Sequence, residues 1–196
     1  MFFRKRDTGV SWIIVFLGNP GPRYENTRHN AGFQTADIVE KSIGAKIDRL
    51  KYNSLTTVAA LGNQRVFLMK PQTYMNLSGS PVKSAMRFYK VPLTNVIVVS
   101  DDASLPVGKL RIRKAGSSGG HNGLRDIILK CGGEGFPRIK IGIGAPPSDD
   151  YAMSDWVLSA ITAPDQSLIT DAARRASEAL LMLTNNGIDQ AIRKFN

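Results

Sequence analysis

The chain holds two histidines, and each is followed by asparagine: His29 in TRHNAG and His121 in GGHNGL. An imidazole of ordinary pKa, ~6.5, can take a proton from water near neutrality and pass it to a leaving group. It then needs a carboxylate to fix its tautomer and stabilise the imidazolium. The run NVIVVSDD ends in two carboxylates. Asp101 closes the apolar stretch and is the better partner for His29. Asp102 is the rival, facing the other way if the strand continues through it. A helix-capping or surface histidine is the plainer alternative for His29, because an apolar helical pattern begins directly after it.

Four asparagines, Asn19, Asn30, Asn76 and Asn122, stand beside glycine, proline, histidine or methionine in loop-like settings. Carboxamides can donate to a developing oxyanion or pair with a peptide backbone without acting as bases. Asparagine also serves turns and helix caps. In KLRIRK, Lys109, Arg111 and Arg113 share one face of a strand, with Leu110 and Ile112 on the other. Such a stripe could track a phosphate backbone or protect an exposed sheet edge. The glycine-rich run 116–123 leads into a helix start, where free amides and the helix dipole favour anions. It contains G-x-S-x-G, but a nucleophile elbow follows a buried strand and has its histidine last, after the acid. Here the strand is striped with charge and His121 comes at once. No H-E-x-x-H, CxxC pair or P-loop pattern occurs, so neither metal nor cofactor is expected.

These groups are far apart in sequence and need a scaffold to meet. WIIVFLG reads as a central strand, apolar on both faces. AGFQTADIVEKSIG follows as a helix, with Asn30 as N-cap and Gly44 as stop. Further strands are expected over 65–71, 95–102, 108–114 and 138–144. Further helices are expected over 80–89, where Ser80 caps and Pro81 opens, then over 124–133, 165–186 and 188–195. Strands alternating with helices predict one α/β domain over 1–196, a twisted mixed, largely parallel sheet with helices on both faces. Ligands of such sheets settle beyond the carboxyl ends of the strands. Asn19 follows the first strand there, Met75 and Asn76 the second, Asp101 closes the third, and His29 stands near the same rim.

Composition limits the classes. The 196 residues carry a formal charge of +10, with 42% hydrophobic and 21% charged residues. That suits a folded globule whose basic excess points to a polyanionic partner such as nucleic acid. The lone Cys131 can form no internal disulfide and has no neighbours spaced for zinc, as in a reducing cytoplasm. Residues 1–9 read as a flexible leader. The apolar run after them ends in Gly-Asn-Pro-Gly without a cleavage site and falls far short of the ~20 residues of a membrane span.

As a set, LGNPGPRYENTRHNAGF, KPQTYMNLSGSPV, SDDASLPVGKLRIRKAGSSGGHNGLRDI and FPRIKIGIG resemble, in order and spacing, the signature blocks of the bacterial-type peptidyl-tRNA hydrolases. The resemblance implies a single, phosphorylase/hydrolase-like α/β domain, monomeric, cytoplasmic and independent of metals. It implies hydrolysis of the ester between a peptide and the 3′-terminal ribose of tRNA, recycling tRNA from prematurely released chains. By position His29 matches the catalytic base and Asp101 its supporting acid. Asn19 matches the amide that senses the blocked α-amino group, with Asn76 or Asn19 meeting the oxyanion. Tyr24, Tyr74, Asn76 and Asn122 match contacts to the peptide or the terminal nucleotide, and His121 an accessory histidine. Arg113 and Lys140 match positions used on tRNA phosphates, joined in a basic grip by Lys109, Arg111 and Arg138. Two positions depart from the pattern: Ser104, where many members carry a second acid, and Ser100, where several carry histidine. An RNA-binding scaffold, as in plastid relatives that serve intron splicing, and a generic esterase are the other classes this chain could fill.

Overall fold

Trp12–Phe16 forms β1 and has no polar side. Ile14 and Phe16 enter one core, while Ile13, Val15 and the following Leu17 enter another. A strand apolar on both faces belongs at the centre of a sheet covered twice. In the computed structural model, which describes residues 9–196, β1 runs parallel to β4 (Gln64–Pro71) and to β5 (Val96–Asp102). The expected leader therefore lies, except for Gly9, outside the described residues. Next to β5, β7 (Arg138–Gly142) is also parallel. The flanks are antiparallel: β2 (Arg49–Lys51) and β3 (Ser54–Leu61) beyond β4, and β6 (Leu110–Arg113) beyond β7, in the order β2-β3-β4-β1-β5-β7-β6.

The expected mixed, largely parallel sheet is found: the centre is parallel, β6 returns antiparallel beside β7, and the other flank is antiparallel through two hairpins that the strand pattern above does not include. Tyr52 and Asn53 both take positive φ, 53° and 50°, the backbone of a two-residue hairpin turn. Gly62-Asn63 makes the second turn, between β3 and β4.

Helices cover both faces, as expected. α1 (Ala31–Ile43), α5 (Ala163–Asn186) and α6 (Ile188–Phe195) bury Val39, Leu180, Leu183 and Phe195 in the first core. α2 (Gly79–Tyr89) and α3 (Asn122–Cys131) bury Val82, Ala85, Leu124 and Ile127 in the second. A short α4 (Met153–Leu158) precedes α5. Gly44 ends α1 in the left-handed region, as its sequence position requires. The two predicted caps differ: Ser80 lies inside α2, whose Gly79 N–H is capped instead by the Asp126 carboxylate at 2.7 Å, and Asn30 spends its side chain elsewhere.

One contact seats α1 against the sheet. A Cβ on Gly32 would overlap the Leu17 carbonyl oxygen and lie 2.7 Å from both Leu17 N and Val99 O. Only glycine lets the helix start come so near the ends of β1 and β5. Gly32→Ala is expected to cost about 1–3 kcal/mol through overpacking. A lower urea midpoint with an unchanged m value would show it.

Candidate active site

Beyond β1 the chain leaves the sheet through Gly18-Asn19-Pro20-Gly21. It makes two 3-10 turns, Pro22–Tyr24 and Arg28–Asn30, before α1. His29 is the middle residue of the second turn, at the carboxyl end of β1 and beside β5. Arg28 holds that turn in place. Its buried guanidinium donates to Asp165 Oδ2 at 2.7 Å, Ile143 O at 3.1 Å and Ser159 Oγ at 3.3 Å, and lies 3.9 Å over the Trp156 ring. No short-range signal in TRHNAG marks this anchor, because its hydrogen-bond partners are 115 to 137 residues away.

The two histidines meet on one carboxylate. His29 Nδ1 lies 2.9 Å from both Asp101 oxygens, and His121 Nε2 lies 3.1 Å from Oδ1. The ring centroids are 4.8 Å apart. Hydrogen bonds fix the tautomers. His121 Nδ1 accepts the Gly123 and Leu124 backbone N–H groups at the start of α3, so its proton is on Nε2 and is donated to Asp101. Helix capping, the alternative weighed for His29, therefore belongs to His121. The carboxylate accepts only, so His29 also donates from Nδ1. Its Nε2 keeps the lone pair, with no partner among the described residues.

The pair is buried: His29 is 7% and Asp101 3% exposed. Burial disfavours the His29 imidazolium, but the charge and hydrogen bond of Asp101 outweigh it and raise the pKa above its ordinary value. Burial alone would raise Asp101 as well; His29 and His121 override it and hold the carboxyl well below the usual range. Asp102 lines the same cavity as Asp101 but engages other partners. It accepts Lys140 Nζ at 2.6 Å and the Ser104 N–H and Oγ–H at 2.8 and 2.6 Å. Ser104, one of the two departures noted above, thus caps Asp102 and leaves the histidine pair untouched. Ser100 is buried, and its Oγ has no partner among the described residues.

Asn19 is fixed by three bonds. Asn30 pairs with its backbone, accepting the Asn19 N–H at 2.8 Å and donating to the Asn19 carbonyl at 3.0 Å. This is where the expected cap residue is used. Met75 N–H donates to Asn19 Oδ1 at 2.8 Å, which leaves the Nδ2 amide as the donor of that side chain. Met75 in turn packs against Gly123 at the head of α3. A ring therefore runs Asn19, Met75, Gly123, His121, Asp101, His29, Asn30 and back. His29, Asp101, His121, Asn122 and Lys140 line one cavity of about 550 Å³. His29, Asp101 and His121 are also the one group among the described residues with donor atoms close enough, within 4.8 Å, to hold a metal ion.

Residues 13–196 match the family described as peptidyl-tRNA hydrolase. The chain is 48% identical over 185 residues to the peptidyl-tRNA hydrolase of Caldanaerobacter subterraneus subsp. tengcongensis, covering 94% of this chain and 99% of that one. Against that of Lacticaseibacillus casei the identity is 44% with the same coverage. The crystal structure of peptidyl-tRNA hydrolase from Acinetobacter baumannii superposes with a TM-score of 0.89 at 33% identity, over 98% of this chain and 97% of that one. The chain belongs to the peptidyl-tRNA hydrolase family.

The other residues that the family resemblance singled out are distributed unevenly. Tyr24 and Tyr74 meet edge to face at 6.5 Å, with Tyr74 60% exposed. Asn76 is exposed in the 3-10 turn Met75–Leu77. Asn122 opens α3 and accepts from Arg125 Nη2 at 2.8 Å. Lys140 lines the same cavity as His29 and Asp101, but its cation is bonded to Asp102. Arg113 does not line that cavity; it is exposed on β6 at the sheet edge, with Lys109 exposed just before the strand and Arg111 half-buried. Both senses of the charged stripe, edge protection and a cationic face, therefore coexist. Arg138 is a correction: it is 1% exposed, donating to Ser117 O at 2.8 Å and Glu134 O at 3.1 Å. It braces the glycine-rich loop from beneath and cannot reach a phosphate. Among the described residues no helix is long and apolar enough to cross a membrane.

Proposed function

We propose that this member of the family hydrolyses the ester between a peptide and the 3′ ribose of tRNA, working as a cytoplasmic monomer that recycles tRNA. The observation that carries the proposal is the free Nε2 of His29, its Nδ1 held 2.9 Å from Asp101. Water in the cavity gives its proton to Nε2 and its oxygen attacks the ester carbonyl. The tetrahedral intermediate collapses, and the imidazolium returns that proton to the departing ribose oxygen. Asp101 holds the ring throughout and balances its transient charge. Because an alkoxide leaves more readily than an amine, one base and one oxyanion donor suffice, each supplying about 10²-fold or more.

Asn19 is suited to tell peptidyl-tRNA from aminoacyl-tRNA. Its Oδ1 is spent on Met75 N–H, so the substrate meets only Nδ2. That donor pairs with the carbonyl oxygen of an acylated amine and opposes a free ammonium, which is all donors. This leaves Asn76 as the freer carboxamide for the oxyanion. Tyr24, Tyr74 and Asn122 bound the site where the peptide or the last nucleotide would enter, and Arg113 with Lys140 would meet tRNA phosphates.

The test is hydrolysis of N-acetyl-aminoacyl-tRNA beside the unacylated form. We expect release of tRNA from the first and little from the second. Binding without release would make the chain an RNA scaffold. Arg113→Gln is expected to raise KM and lower the salt slope of binding by about 1. A generic esterase would show neither change.

A further inference from the structure

Asp126 is a buried carboxylate on α3, 8% exposed, and among the described residues no cation pairs with it. Its Oδ2 accepts the Gly79 N–H at 2.7 Å, at the start of a helix with no cap of its own. Ser78 makes no side-chain cap bond, and the first turn of α2 holds no acid. The carboxylate therefore meets both the orphan amides and the dipole at that end of α2. The approach is close: a Cβ on Gly79 would overlap the Asp126 carbonyl oxygen and lie 2.9 Å from Oδ2.

A cap from the preceding loop would satisfy these amides equally well. A cap from α3 does something further, because both helices begin beside the catalytic groups. The turn Met75–Leu77 leads into α2 through Ser78, whose Oγ–H donates to Met75 O at 2.8 Å. Met75 N–H is the group that holds Asn19 Oδ1. On the other side, Asp126 lies in the turn that follows His121, which caps α3 and donates to Asp101. We infer that Asp126 is a positioning residue that sets specificity. By fixing the start of α2 it keeps Met75 N–H on Asn19 Oδ1, so that Asn19 offers substrate only its Nδ2 donor. The inference rests on the reading of Asn19 given above. Once that hold is lost, the Met75 turn moves away and the carboxamide can turn end for end. Oδ1 is then free to accept from an ammonium, and aminoacyl-tRNA gains the partner that the fixed donor denies it. Asp126 itself does not line the cavity that holds His29.

The experiment measures kcat/KM for N-acetyl-aminoacyl-tRNA and for the same aminoacyl-tRNA without the acetyl group. Asp126→Ala is expected to lower the ratio of the two by about tenfold, the effect of replacing an opposed donor with one hydrogen bond. Asp126→Asn keeps an oxygen for the Gly79 N–H and should keep the ratio of the unaltered protein. It loses the charge at the helix end, so its melting temperature should fall nonetheless. A residue that only braced the fold would not separate specificity from stability in this way. Gly79→Ala forces α2 away from α3 at the same contact and is expected to lower the ratio as Asp126→Ala does, so the test survives if either variant fails to fold. Melting curves show which variants are folded at the assay temperature. A ratio that folded Asp126→Ala or folded Gly79→Ala leaves unchanged overturns the role of Asp126. Equal hydrolysis of the two substrates by the unaltered protein overturns the reading of Asn19 instead.

Discussion

His29→Ala is expected to lower kcat for tRNA release by about three orders of magnitude, the contribution of a well-placed general base, while tRNA binding stays near that of the unaltered protein. The separation follows from the geometry. His29 is 7% exposed and its only polar partner among the described residues is Asp101, so removing it deletes no contact to the phosphates that supply most of the affinity for RNA. The loss belongs in the chemical step, to be read by single-turnover hydrolysis of N-acetyl-aminoacyl-tRNA, with affinity read by filter binding. Loss of the ring also leaves Asp101 with one donor in place of two in a buried setting. A modest drop in melting temperature should accompany the kinetic effect, and melting curves separate it from unfolding. Hydrolysis within tenfold of the unaltered rate would exclude His29 as the base.

Much of this site is legible in the sequence because its parts obey local rules. An apolar strand ending in Asp101, and a helix beginning just after His29, both deliver their side chains to one rim of a parallel sheet. Asp101 is already favoured over Asp102 because it closes the apolar run, while alternation says only that the two diverge; that both histidines meet on it is set by the fold. The supports were less legible. Arg28 is buried by residues from α4, α5 and the strand ends, and nothing near it in sequence tells a buried arginine from an exposed one. Arg138 is illegible for the same reason: it opens β7, an inner strand, and is covered by the loop it braces. Asn30 looked like a cap because caps are the commonest use of asparagine before a helix, but the neighbouring turn offered it a backbone pair at Asn19. The β3–β4 hairpin carries a turn signal in Gly62-Asn63, yet β3 itself is hard to recognise. The Thr and Ala residues of β3 give little apolar contrast between its faces.

Asp101→Asn should be at least as damaging as loss of the base, although it preserves volume and a hydrogen bond. His121 cannot change its proton: α3 amides occupy Nδ1, so Nε2–H must still find an acceptor at the Oδ1 position. The asparagine oxygen is drawn there, which puts its NH2 at the Oδ2 position facing His29 Nδ1. Nδ1 must then accept, the His29 proton moves to Nε2, and the lone pair that should take a proton from water is gone. A loss of about 10³- to 10⁴-fold in kcat follows, as for the same change in a serine-protease triad. The pH profile carries the sign. In the unaltered protein Asp101 raises the His29 pKa against burial, so kcat/KM should climb with pH through a midpoint above ~6.5, the ordinary imidazole value. Without the carboxylate, burial acts unopposed and favours the neutral ring, so the residual activity should climb through a midpoint below that value. A residue that merely braced the fold would lower the plateau and leave the midpoint where it was. An unshifted midpoint at a reduced rate would therefore take the proton-holding role away from Asp101.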